Sequence, residues 1–161
     1  MTSRTSTLKA WQTLRDKPLG KAAFSAAASI RAPYFASITP YVKEMEYGRA
    51  VVLGPKWWYV QNHIGTYHAI AACNLAEVAM GMVMEASTPP SHRWLPKSMK
   101  VDYLAKATSS LTATATFAEP VDFDAITTGR EVVVSIAVTD SRGAEVVHAD
   151  ITTWVTPKPA H

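Results

Sequence analysis

The stretch from Thr66 to Ala86 constrains this chain more than any other. It is dense in Ala, Leu, Met and Glu and contains no proline, which predicts one long helix. Its apolar residues wrap nearly all the way round, and a helix apolar on every side is buried in a domain or at a subunit contact. Asn74 and Glu77 interrupt its apolar run from Ala69 to Met84, so no segment reaches the about 18 residues of a membrane span. After Pro89-Pro90 the texture changes to period two. Leu111 to Phe117 reads Leu-Thr-Ala-Thr-Ala-Thr-Phe, a strand with one face wet or turned to a ligand. Arg93 to Leu104, Arg130 to Thr139 and Glu145 to Val155 read as further strands, the last two joined through the turn-forming Asp140-Ser141-Arg142-Gly143. Ahead of the helix, Pro40, Gly48, Gly54 and Pro55 divide the chain into short strands at Tyr41–Tyr47, Arg49–Leu53 and Trp57–Gln61. This order predicts an α+β domain, an antiparallel sheet packed on one helix.

A chain of 161 residues, 48% hydrophobic and 18% charged, suits one domain and excludes a disordered or collagen-like one. We divide it into an N-terminal helical segment (1–33), a main domain (34–156) and a polar tail (157–161). In the first segment Leu8, Trp11 and Leu14 fall at steps of three, with Thr7 or Ser6 as cap and Pro18 and Gly20 as stop. A second helix is expected over Lys21–Ile30, before Pro33. Residues 1–31 hold six cations, Arg4 among them, and one acid, so a packed basic helix and an organellar transit peptide are both readings of the composition. The remainder is mildly acidic, which argues against a nucleic-acid binder. The lone Cys73 cannot close a disulfide within the chain, and no secretory leader pattern opens it; cytoplasm is the expected compartment.

Chemistry concentrates in Asn62-His63-Ile64-Gly65-Thr66-Tyr67-His68-Ala69, with Glu77 further along the helix. A carboxylate on an apolar helix is either paired across the core or used as a base, because burial penalises its charged form. His68 begins the helix, where the backbone amides of Ala69 and Ile70 can hold a developing negative charge. The histidines (His63, His68, His92, His148, His161) lack a zinc-like spacing, so no metal and no cofactor is expected. Cys73 reads as core packing, as do Trp57, Trp58, Met80, Met82 and Met84, although methionines also suit the wall of an acyl-chain tunnel. The absence of G-x-S-x-G, a Gly-rich phosphate loop and C-x-x-C sets aside serine-triad hydrolases and P-loop enzymes.

These residues resemble a known pattern. Acyl-CoA thioesterases of the hotdog fold, of the phenylacetyl-CoA thioesterase type, carry N-x-x-G-T-x-H-G-G before the central helix and an Asp or Glu nine residues after the His. Asn62, Gly65, Thr66, His68 and Glu77 stand at those places. Tyr103-Leu104-Ala105-Lys106-Ala107 and Asp140-x-x-Gly143 are similar to the later strands of that family, and the likeness runs over residues 34–156. The resemblance implies an antiparallel sheet wrapped around one long helix, and a homodimer or dimer of dimers with two sites at the interface. It further implies an acyl-CoA or acyl-carrier-protein thioester held at the Ala69 amide with Asn62 and His68 around it. Glu77 of the partner subunit would then be general base or nucleophile. The sequence departs in having Ala69-Ile70 for Gly-Gly, and Ala105 near a position where some relatives have Ser or Thr, with Thr108 and Ser109 close by. Two other readings stay open: a non-catalytic acyl-thioester binder, and a hotdog 3-hydroxyacyl dehydratase or hydratase pairing His68 with Glu77.

Overall fold

The computed structural model describes residues 5–159; Arg4 and His161 lie outside them. Helices α1 (Ser6–Leu14) and α2 (Gly20–Arg31) come first, followed by a 3-10 stretch over Pro33–Ile38. Next come strands β1 (Tyr41–Glu46) and β2 (Arg49–Gly54), then the central helix α3 (Ala69–Ser87). Strands β3 (His92–Tyr103), β4 (Leu111–Phe117), β5 (Arg130–Thr139) and β6 (Glu145–Pro157) complete the chain.

The six strands form one antiparallel sheet in the order β1-β2-β4-β5-β6-β3, curled around α3 as the resemblance implies. Alternation along the strands decides which side chains meet the helix. Leu111, Ala113 and Ala115 of β4, Val134, Ile136 and Val138 of β5, and Ala149, Ile151 and Val155 of β6 are buried, together with Leu75, Ala76, Ala79 and Val83 of α3. Each large aliphatic side chain so buried contributes about 1.5–3 kcal/mol. Threonines 112, 114 and 116 point to the other, wetter face. By length and composition alone α3 would suffice to cross a membrane, but it is the core helix, with 61% of its most apolar window buried in the domain. The turn between β5 and β6 forms where expected: the Asp140 carboxylate accepts from the amides of Arg142 (2.8 Å) and Ala144 (3.0 Å).

The N-terminal helices are part of the packed body. Trp11 is 2% exposed and meets Phe24 edge-on at 5.1 Å between ring centres. The cap of α1 is Thr5, not Thr7 or Ser6: its hydroxyl accepts from the Leu8 amide (3.1 Å) and donates to the Glu85 carbonyl of α3 (2.7 Å). Helix α2 covers the β1 edge. Ser25 Oγ accepts from the Val42 amide at 2.9 Å, and Lys21 Nζ donates to the Lys43 carbonyl at 2.8 Å.

Four local expectations are corrected. Trp57–Gln61 is not a strand but a 3-10 turn over Trp58–Val60, with a single bridge from Gln61 to Tyr67. Trp57 and Trp58 are consequently not core; they are 52% and 82% exposed, whereas Met80, Met82 and Met84 are buried. The central helix begins at Ala69 rather than Thr66, because the segment before it is held in a side-chain-braced turn. Cys73 is half-buried rather than packed in the core, and its Sγ lies 3.1 Å from the Tyr103 hydroxyl.

Candidate active site

The turn ahead of α3 is built by Asn62. Its Oδ1 accepts from the amides of Ile64 and Thr66, both at 3.1 Å, while Nδ2 donates to the Thr66 hydroxyl at 2.8 Å. The Gly65 amide closes the turn on the Asn62 carbonyl (3.0 Å) with φ +76°, a left-handed conformation that glycine adopts without strain. Asn62, Gly65 and Thr66 thus spend their polar groups on one another. Asn62 shapes the loop instead of reaching out of it.

From there the chain is pinned on both sides. The Tyr67 amide donates to the Ala107 carbonyl and the His68 amide to the Val60 carbonyl, each at 2.8 Å. Tyr67 is buried, and burial first, then the neighbouring Tyr59, pushes its phenol up to about 12. His68 follows as N-cap, its Nδ1 accepting from the Ile70 amide at 3.1 Å. Two consequences follow for an anion at this helix end. The Ile70 amide is already occupied, whereas the Ala69 amide has no acceptor among the described residues. With Nδ1 accepting, the neutral ring carries its proton on Nε2, which is free to donate outward.

Along α3, Ile70, Cys73, Glu77 and Gly81 recur at three- and four-residue steps and form the one stripe that the sheet and the N-terminal helices leave open. Glu77 is half-buried there and has no hydrogen-bond or ion-pair partner among the described residues, so pairing across its own core is not what holds it. Eight residues of helix separate Glu77 from Ala69, about 12 Å along the axis. No hydrogen bond joins His68 to Glu77 among the described residues, so within one protomer the carboxylate and the helix-start amide stand apart along α3.

Strand β3 flanks the stripe. Its pairing with β6 puts Trp94, Met99, Val101 and Tyr103 opposite the inward-facing Val155, Ile151, Ala149 and Val147, so these four share the helix side. The Cys73 contact, then burial, pushes the Tyr103 phenol up to about 12. No residue of β3 is fully buried, and its other edge carries no strand. Leu95, Met99, Tyr103 and Leu104 are exposed here, as is Ile70 on α3. Ala105 and Thr108 are exposed just beyond it, while Ser109 Oγ is engaged by the Ser141 amide and the Ser110 carbonyl. The sequence signs missed two things: the occupied Ile70 amide, because histidine is not a favoured cap, and the exposed aromatic turn at Trp57–Tyr59. Among the described residues, no group of three His, Cys, Asp or Glu side chains could hold a metal ion.

The chain has relatives. A family model described as "Domain of unknown function (DUF4442)" matches residues 20–155. No curated protein matches it by sequence. The crystal structure of genomics APC5556 is 40% identical, the match covering 94% of this chain and 99% of that one, with a TM-score of 0.81. PA5026 from Pseudomonas aeruginosa, described as a protein of unknown function and probable thioesterase, is 17% identical over 85% of this chain and 96% of its own, TM-score 0.74. E. coli PaaI, from the phenylacetic acid degradation operon, is 18% identical over 83% and 96%, TM-score 0.62. The fold shared with these last two is the hotdog fold of thioesterases.

Proposed function

Since the chain belongs to the DUF4442 family and has the hotdog fold, we propose that it hydrolyses an acyl thioester, carried on coenzyme A or an acyl-carrier protein, as a homodimer. The observation that carries this reading is the split of the site: among the described residues, the Ala69 amide at the helix start has no acceptor, and Glu77, eight residues or about 12 Å of helix further on, has no partner. Two protomers joined along their open β3 edges would let each supply what the other lacks. The exposed Leu95, Met99, Tyr103 and Leu104 favour that edge as the joint.

In such a site the thioester carbonyl lies against the Ala69 amide, which stabilises the oxyanion as the carbonyl carbon becomes tetrahedral. The His68 Nε2 proton is a second donor within the same loop. Glu77 of the partner subunit takes a proton from a water that attacks the carbonyl carbon, and the C–S bond breaks to release the acid and the thiol; or Glu77 attacks that carbon itself, the thiolate leaves, and water then cleaves the resulting anhydride to release the acid and restore the carboxylate. Asn62 and Gly65 act earlier, by fixing the loop that aims the Ala69 amide.

The test is thiol release from a panel of aryl, short-chain and long-chain acyl-CoAs, comparing wild type with a folded Glu77→Gln variant. A fall of ~10²-fold or more in kcat is expected. Equal activity in the variant, or no turnover of any thioester by wild type, would remove the hydrolytic reading and favour a binding protein. Single-turnover hydrolysis in ¹⁸O-water separates the two roles of Glu77: general-base attack by water puts the label in the product acid, whereas direct attack followed by water attack on the Glu77 carbon of the anhydride leaves the first product unlabelled and puts the label in the enzyme.

A further inference from the structure

The turn between β2 and α3 turns three aromatic rings out to solvent. Trp58 is 82% exposed, and Trp57 and Tyr59 on either side of it are exposed as well. The backbone that carries them is braced: the Trp57 amide donates to the Pro55 carbonyl (3.0 Å), and the Val60 amide donates to the Trp57 carbonyl (3.2 Å). The Tyr59 hydroxyl lies 3.2 Å from Thr39 Oγ1, and Trp58 meets Tyr59 edge-on at 5.8 Å between ring centres. Exposed Ile64, within the adjoining Asn62 turn, adds a fourth apolar side chain. None of these four belongs to the core of the protomer. The turn leaves β2, which β4, β5 and β6 separate from the open β3 edge, so pairing of β3 strands does not by itself cover it. An exposed apolar cluster of this kind marks an interaction surface.

We propose that the turn docks the protein on an anionic phospholipid bilayer, with Trp57, Trp58, Tyr59 and Ile64 entering the headgroup layer. Charge decides the kind of surface. Lys56 directly precedes the rings, and its amide is held by Ser110 Oγ (3.0 Å) in the same loop that carries Lys106. Neither lysine has an ion-pair partner among the described residues, whereas the acids at this end of the sheet are engaged: Asp140 is buried against Arg142, Glu145 pairs with His148, and Asp102 with Lys100. Two uncompensated cations beside three aromatic rings complement lipid phosphates above an acyl layer. Tryptophan and tyrosine suit that boundary because each has an apolar body and a polar tip. A protruding turn also fits a surface that yields around it, where a rigid protein partner would need a matching recess for each ring. The inference does not rest on the chemistry at Glu77. The bridge from Gln61 to Tyr67 ties the turn to the start of α3, so docking would bring the Ala69 amide towards the lipid.

The test is cosedimentation of the full chain with large unilamellar vesicles, made of phosphatidylcholine alone or with about one third phosphatidylglycerol, at low and high salt. Wild type is expected to bind the anionic vesicles, and to bind less at high salt. The double variant Trp57→Ser, Trp58→Ser should lower the partition coefficient at least tenfold. Lys56→Glu with Lys106→Glu should lower it at least tenfold on anionic vesicles and leave any binding to neutral ones unchanged. Leu19→Ser, which removes an equally exposed apolar side chain from the N-terminal segment, should change neither. Lipids brominated near the headgroup should quench wild-type tryptophan emission more than that of the double tryptophan variant. Absence of binding to anionic vesicles, or equal binding by the double tryptophan variant, would overturn the proposal. So would a fall in its molar mass by light scattering without lipid, which would assign the turn to contact with a second copy. Capture of purified acyl-carrier protein in place of vesicles would likewise overturn it, in favour of an acidic protein partner.

Discussion

The two edges of the sheet are finished in opposite ways. At β1 the chain covers itself: α2 lies along the strand, Ser25 accepts from the Val42 amide, and Lys21 reaches the Lys43 carbonyl. At β3 a twelve-residue strand has one paired side and one open side, with Leu95, Met99 and Tyr103 exposed. An unpaired strand edge invites another strand, and sheets that stand alone blunt theirs with a covering helix or with charge. This chain blunts only one. The open stripe of α3 that carries Glu77 runs beside the unfinished edge, so the unpaired strand edge and the stripe on which we propose the chemistry are neighbours.

Disrupting the open edge is expected to have the largest effect. Leu95→Lys combined with Met99→Lys places charge where the partner strand would lie; light scattering should give the mass of a single 17.5 kDa chain, and thioester turnover should fall by ~10²-fold or more. A monomeric variant with full activity would show that one protomer holds a whole site. At the covered edge the outcome should be the reverse. Ser25→Ala leaves the buried Val42 amide without its acceptor and should cost about 1–3 kcal/mol in chemical denaturation, with turnover per folded protein unchanged. Thr5→Ala removes the α1 cap and its tie to Glu85, for about 1 kcal/mol.

The smallest expected effect concerns His148 of β6, beside the open edge. The hydrogen bond to Glu145 (2.7 Å) and the charges of Glu145 and Asp150 raise its pKa against the opposing cost of burial. A raised histidine pKa stabilises the fold below the unfolded value, near 6.5, and that contribution fades as pH rises through the folded value. The pair is part-exposed and screened, so the gain is small. The Tm of wild type should exceed that of Glu145→Gln by about 1–2 °C at pH 5.5, and by less at pH 8.5.

Much of this architecture was legible in the residues themselves. Period-two alternation in Leu111–Phe117 and the proline-free, largely apolar helix were enough to state an antiparallel sheet on a central helix, because both patterns follow from which face is buried. Strand order was not legible. Nothing local in His92–Tyr103 says that its neighbour is the distant β6, or that its far side stays open. The loop misled where side chains replaced backbone regularity. Trp57–Gln61 has the aromatic content of a strand yet forms a turn, and the helix starts three residues later than its composition suggests because Asn62 and His68 brace the chain before it. For the site, the stretch Asn62–Ala69 and Glu77 stood out from spacing. That Asn62 is consumed by its own turn, and that His68 occupies the Ile70 amide, are matters of rotamer and distance which no spacing encodes.

The late arrival of β6 has a consequence for biosynthesis. Strand β3 leaves the ribosome before β4 and β5 but pairs with neither; its neighbour is the last strand in the sequence, with Asp102 set against His148 and His92 against Pro157. Until some fifty further residues have been made, β3 has two bare edges and α3 lacks the wall that β5 and β6 supply. Such long-range closure is slow, and the nascent chain is prone to aggregate while it waits. Ribosome stalling or truncation upstream of Glu145 should therefore yield insoluble chains, recognised by chaperones, and not a partly folded domain.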